Sequence, residues 1–351
     1  VGGDQFKPYS SYEAAIAARR LMLEEGTLGR VQLLEELDND KPGNNGTLLS
    51  WFYTTGPTTD HSKADLLAAN EIILGLVEAS DLVSARENLV LRAVARSDER
   101  IVLRMLEKTV GSTEFKESDK LTLLHLLLVQ LWVSAAKLLI NNMRTSTLCQ
   151  SVGHKQLTPI ELAIEWRITE VVGSLIQVLS DEELRACGTQ QTLLHTAMWH
   201  FLPGIVSGFL DRIPECMADT KNGRAPIHML SCQVPSIELW TRLVELTPRE
   251  LLEHTIPIPA GSTLLHVVAR SLPSTHAKVL LDAIGPDART ATNAAGETAK
   301  DIAALRASGA SYFTYGTRTI GGVCAEEFIA DGMRIASMLT VGGLTKAATT
   351  T

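Results

Sequence analysis

The sequence predicts an all-α protein: an α-solenoid of about seven or eight helix-turn-helix repeats with short hairpin loops and helical caps. Three observations predict it. The word Thr-Leu-Leu-His stands at Thr122–His125, Thr192–His195 and Thr263–His266, each time running into an apolar stretch. Related starts at Asn88, Thr158, Ala225 and Thr298 fill the gaps, so that successive starts are 34, 36, 34, 33, 38 and 35 residues apart. Self-similarity at such a period marks a repeat array. Finally, 45% of residues are hydrophobic but only 5% aromatic, a mix that favours helices packed by aliphatic side chains over a β-sandwich.

Each element can be justified in order. Residues 1–45 read as an N-terminal helical cap: "SYEAAIAARRLMLEEGTLGRVQLLEEL" follows Ser10, which forms a capping box with Glu13, and keeps the apolar phase of a helix pair. Such a cap shields the first apolar face of a stack. The repeat array is assigned to residues 46–310. Its first start is "GTLLSWFYTT", with the second helix delayed by "GPTTDHSKAD".

From Asn88 onward the phase is regular. Five residues after each start come Ala93, Leu127, Ala163, Ala197, Leu230, Val268 and Ala303; fourteen after come Val102, Ala136, Val172, Val206, Leu239 and Ala277. Apolar spacings of three and four on either side of a short polar break describe two helices with one buried stripe each. By the same pattern "LTLLHLLLVQLWVSAAKLLI" (121–140), long enough to suggest a membrane span, reads as a buried helix pair; it carries His125, Gln130 and Lys137. Residues 311–351 read as a C-terminal capping helix, "AEEFIADGMRIASML", stopped at Gly342-Gly343, and a disordered tail.

These words resemble the ankyrin repeat. Its TPLH signature is matched by the three TLLH copies, by Thr158-Pro159-Ile160-Glu161 and by Ala225-Pro226-Ile227-His228. "DTKNGRAPIH" and "NAAGETAKDIA" carry the family's glycine in the hairpin before the helix, whereas the family's Gly-Ala-Asp ending is absent. The resemblance implies that Thr122, His125, Thr192, His195, His228, Thr263 and His266 are structural joints, tying each helix start to hairpin backbone. It also implies a concave wall where partners sit, faced by the ends of the inner helices. Those positions hold Gln130, Glu165, Trp166, Trp199 and His200. Tryptophan is a common interface anchor. Packing of Trp166 and Trp199 against their own turns is the competing reading.

Little else points to chemistry. One histidine per repeat places successive rings too far apart to share a metal ion. His228 and Cys232 lack further ligands nearby in sequence, and no GxxxxGK[ST], strand-borne GxGxxG or HExxH word occurs. No metal, cofactor or catalytic residue is expected. Arg92, Arg96, Arg100 and Arg104 fall at intervals of four, but "RSDER" holds a turn, so they read as a solvated face, with a groove for an acidic partner as the alternative. A net charge of −8 disfavours nucleic acid. Five cysteines, odd in number and without CxxC, fit a reducing, cytoplasmic compartment.

The expectation is a monomeric protein–protein interaction module, without membrane insertion, that binds another protein on its concave face. The alternative makes the chain the substrate-recruiting part of a larger enzyme, a secreted bacterial effector delivered into a host cell, with its catalytic domain upstream.

Overall fold

The computed structural model describes residues 71–83, 88–94, 99–153, 155–188, 192–230, 234–256, 261–308 and 325–344. The predicted N-terminal cap and the start at "GTLLSWFYTT" lie outside them, as do Arg96 and Cys232. The chain divides into two compact units, Val1–Val178 and Leu179–Thr351.

In the first unit three helix pairs follow one another: α1 (Leu89–Val94) with α2 (Glu99–Thr109), α3 (Glu117–Val129) with α4 (Val133–Ile140), and α5 (Pro159–Glu165) with α6 (Thr169–Val178). The first helix of each pair packs on the first helix of the next, and the second on the second, so α1–α3–α5 and α2–α4–α6 form two layers. Ala93, Leu127 and Ala163 are buried in one layer, Val102, Ala136 and Val172 in the other, at the phases that the sequence predicts. The stretch 121–140 is two helices broken at Leu131-Trp132, and among the described residues no helix is long and apolar enough to cross a membrane.

The second unit runs through α7 (Asp181–Ala186), α8 (Leu193–Trp199), α9 (Pro203–Arg212), two 3-10 turns (Pro214–Ala218 and Pro226–Met229) and α10 (Ile237–Leu246). It continues with α11 (Arg249–Glu253), α12 (Leu264–Ser271), α13 (Ser274–Ala283), α14 (Pro286–Thr290), α15 (Ala299–Ala307) and α16 (Ala325–Leu344). The chain thus folds as ankyrin-like helix pairs, with strand limited, among the described residues, to a short antiparallel hairpin (Thr255–Ile256 with Ser262–Thr263) and isolated bridges. These hairpins immediately precede the starts at Asn88, Thr158, Ala225, Thr263 and Thr298. Glycines two residues before a start, Gly223, Gly261 and Gly296, have φ of 71°, 69° and 77°. Those are left-handed values that only a residue without Cβ adopts at no cost.

Three details differ from the sequence reading. The helix bearing the Thr122 word begins at Glu117, five residues early, without a hairpin before it. Thr122 is therefore no helix cap: it stands exposed in mid-helix, its hydroxyl donating to the Ser118 carbonyl at 2.9 Å. "KESDK" contains neither glycine nor proline, its Lys120–Glu117 pair is 2.9 Å long, and Glu117 and Asp119 suit the positive helix start. In the unit opening at Ala225, Trp240 rather than Leu239 is fully buried. The longer lead before α10 shifts the phase by one, and the indole N–H donates to the His276 carbonyl at 3.0 Å. Finally, α16 continues through Gly342-Gly343 to Leu344, since two glycines within a formed helix cost stability without having to end it.

Candidate functional site

The repeated histidines are tied to their own helix or its start, and three of them also to the backbone of the next repeat. His195 is 1% exposed; its Nδ1 accepts from the Thr192 hydroxyl at 2.7 Å and its Nε2–H donates to the Arg224 carbonyl at 3.0 Å. His266 accepts at Nδ1 from both the Thr263 amide (3.1 Å) and hydroxyl (2.8 Å), and its Nε2–H donates to the Glu297 carbonyl at 3.1 Å. His125 Nε2 reaches the Leu157 carbonyl at 3.1 Å. In all three the acceptor is the residue just before the next start. His228 accepts from the Ala225 amide at 3.0 Å, and its Nε2 is buried without a well-formed hydrogen bond. The Thr158 unit uses Glu161 instead: its carboxylate accepts from the Thr158 amide at 3.0 Å and hydroxyl at 3.1 Å. A residue three places into the helix can serve as a capping box whether it is His or Glu.

Burial sets the electrostatics of these rings. It lowers the pKa of His195 and His266, against the pull of the Arg224 and Glu297 carbonyls, and takes His228 down to about 4. Burial likewise raises the Cys216 thiol to about 12, aided by Asp219, so this cysteine is no thiolate nucleophile. Cys149, Cys187 and Cys216 form no disulfide among the described residues. No group of three or more His, Cys, Asp or Glu among the described residues is placed to hold a metal ion.

The tryptophans are placed differently. Trp166 ends α5 as its C-cap and is 49% exposed; Trp199 is the last residue of α8 and 55% exposed. Neither is buried against its own turn. In the first unit, Trp166 shares its exposure with Leu126, Val129 and Leu131 at the end of the neighbouring α3. Gln130 caps that helix and is exposed. Glu165 is half-buried and pairs with Lys155 at 2.7 Å. In the second unit half-buried His200 caps α8 beside Trp199.

One feature of these turns was not read from the sequence. Leu131, Arg167 and Phe201, each nine residues after a start, have φ of 61°, 59° and 49°. The next amide in each case bonds back five residues: Trp132 N–H to Leu127 O (2.9 Å), Ile168 to Ala163 (2.8 Å) and Leu202 to Ala197 (3.1 Å). That is the Schellman ending, which glycine usually supplies. Bulky residues hold it here at a cost of about 1–2 kcal/mol each. No glycine stood at those places to flag the conformation.

Comparison with known proteins adds a likeness to solved structures. The chain resembles the ankyrin repeat domain of Bcl-3. That solved domain is described as a unique member of the IkappaB protein family; it shares 19% identity over 70% of this chain and 97% of that chain, with a TM-score of 0.42. No family model matches the sequence, and no curated protein does.

Proposed function

We propose that the chain is a protein–protein interaction module whose partner is held by exposed aromatic anchors at the ends of its inner helices. The observation that carries this reading is the exposure of Trp166 and Trp199, 49% and 55%, at nearly the same phase of consecutive repeats, eight and seven residues after their starts. A tryptophan left half in water costs hydration that burial against a partner would recover, and its two-torsion side chain loses little entropy when fixed. In this reading each indole anchors the partner on its own unit, with Gln130 and Glu165 as the polar rim near Trp166 and His200 beside Trp199. Leu126, Val129 and Leu131 widen the apolar centre. The histidines serve as joints, and no catalytic residue is assigned.

The test is affinity capture from cell lysate with quantitative mass spectrometry, run with the wild type and with Trp166→Ala/Trp199→Ala. Proteins enriched by the wild type and lost by the double variant are the expected result, with each single change weakening binding by about 2 kcal/mol. Identical captured sets would end the proposal.

A further inference from the structure

We propose that the second unit is an acid-responsive element, whose joints between repeats open when the imidazoles of His195, His228 and His266 take up a second proton. The warrant is what faces each ring nitrogen. In all three, Nδ1 is the acceptor of a hydrogen bond from a group that can only, or here does, donate: the Thr192 hydroxyl, the Ala225 amide, and the Thr263 amide with its hydroxyl. A proton placed on Nδ1 of His228 or His266 would point at the Ala225 or Thr263 amide N–H, which cannot accept, so that bond at the helix start breaks; at His195 the Thr192 hydroxyl must stop donating and turn to accept. For His195 and His266 the same ring carries the bond to the following hairpin through Nε2, so turning the ring away to relieve the clash also parts two repeats. His125 in the first unit is arranged otherwise. Both its nitrogens face carbonyls, Leu121 at 2.9 Å and Leu157 at 3.1 Å, and a second proton there meets an acceptor. The Thr158 joint has no imidazole at all.

The surrounding charges do not rescue the protonated rings. His195 faces Asp219, which favours its charge, and Lys221, which opposes it. His228 faces His254, Arg224 and His195, all of which oppose. His266 faces Arg270, which opposes, and Glu297, which favours. Carboxylates on the elements packed around them are engaged elsewhere: Asp301 with Thr298, Glu253 with Arg249 and the Gly285 amide, and Glu215 with Arg185. Burial remains the largest influence at each ring and acts in the same direction as the geometry.

The sign follows from linkage. The folded state binds these protons less readily than the unfolded chain, so the joints contribute their full stability above the ordinary histidine value and lose it as pH falls below it. For His228, with 6.5 falling to about 4, the unfolding equilibrium constant rises roughly 30-fold between about pH 7.5 and about pH 5. The inference concerns the joints alone and stands apart from what the tryptophans bind.

The experiment compares the full chain with His195→Gln/His228→Gln/His266→Gln by urea unfolding at about pH 7.5 and about pH 5. Glutamine offers an acceptor and a donor without titrating in this range, and the protein already tolerates a side chain of that length in Glu161. The wild-type midpoint should fall on acidification, and the triple variant should lose less than half as much. In parallel, the three imidazole Cε1–H resonances of the folded wild type, followed by NMR, should stay in their neutral positions at about pH 5.5. An equal fall in variant and wild type overturns the proposal. So do rings that titrate at the ordinary histidine value while the fold persists. Should the triple variant not fold, His228→Gln alone makes the same comparison, and the resonance titration needs no variant.

Discussion

At the scale of single residues, the left-handed turns at Leu131, Arg167 and Phe201 mark where this protein departs from the cheapest backbone solution. A β-carbon in that region crowds the following carbonyl, and three repeats accept that crowding at the same position. Leu131 is exposed, so its side chain contributes little to the core. Replacing it by glycine removes the strain but adds freedom to the unfolded chain. Leu131→Gly should still stabilise the protein by about 0.5–1 kcal/mol, read as a higher melting temperature. A lower melting temperature would show that the leucine packs in a way its exposure does not suggest. The positions of the hydrogen-bonded histidines were legible in the sequence because one word recurs at a fixed period. The turns were not, because left-handed backbone normally betrays itself through glycine or asparagine.

At the scale of elements, several helices are capped by a carboxylate from elsewhere in their unit. Glu99, at the start of α2, accepts from the Ser134 and Ala135 amides at 3.0 and 3.4 Å, at the start of α4, whose own N-cap is Trp132. Glu117 accepts from the Arg144 amide at 3.1 Å, at the start of the short helix Thr145–Leu148, and Glu253 from the Gly285 amide at 2.7 Å, at the start of α14. Asp331 of α16 takes both the Ser274 amide (3.1 Å) and hydroxyl (2.5 Å) at the start of α13, which is preceded by Pro273. Each supplies charge and an acceptor to a helix start that lacks a side-chain cap of its own. Glu99→Ala should therefore cost about 1 kcal/mol in urea unfolding. A neutral result would mean that water replaces the carboxylate without loss.

The last helix is fixed by a related device. Arg306, 2% exposed, donates to the Phe328 carbonyl at 2.9 Å and the Leu272 carbonyl at 2.6 Å, and stacks over the Phe328 ring at 4.0 Å. Burial lowers its pKa to about 10, with Asp331 pulling the other way. Gly332 lets α16 approach α15 closely: a β-carbon there would lie 2.8 Å from Ala307 N and 2.9 Å from Ala303 O. Both are backbone atoms, so Gly332→Ala should cost about 1–3 kcal/mol, measured by thermal unfolding. Unchanged stability would mean that α16 is not held this tightly. The sequence identified α16 from its amphipathic spacing, but trans capping and the buried arginine depend on contacts between distant residues that no local pattern encodes.

At the scale of the whole molecule, periodicity was the decisive signal. A step near 35 residues and a buried phase at five and fourteen residues after each start located the helix pairs, because every repeat solves the same packing problem. The reading slipped where one repeat solves it differently: at Thr122, where a helix-forming lead replaces the hairpin, and at Trp240, where a longer lead moves the buried phase by one. The surface was less legible. The phase that selected Trp166 and Trp199 is a property of the repeat, whereas their exposure depends on how the ends of α5 and α8 emerge from the layers. The central claim is that these two indoles bind a partner and do not hold the fold. Its most direct measurement is a binding isotherm and a thermal melt on the same Trp166→Ala, Trp199→Ala and double variants, with the partner captured by the wild type. The account predicts affinity lowered by about 2 kcal/mol for each single change, and more for the double, at an unchanged melting temperature. Undiminished affinity with a sharply lowered melting temperature would contradict it.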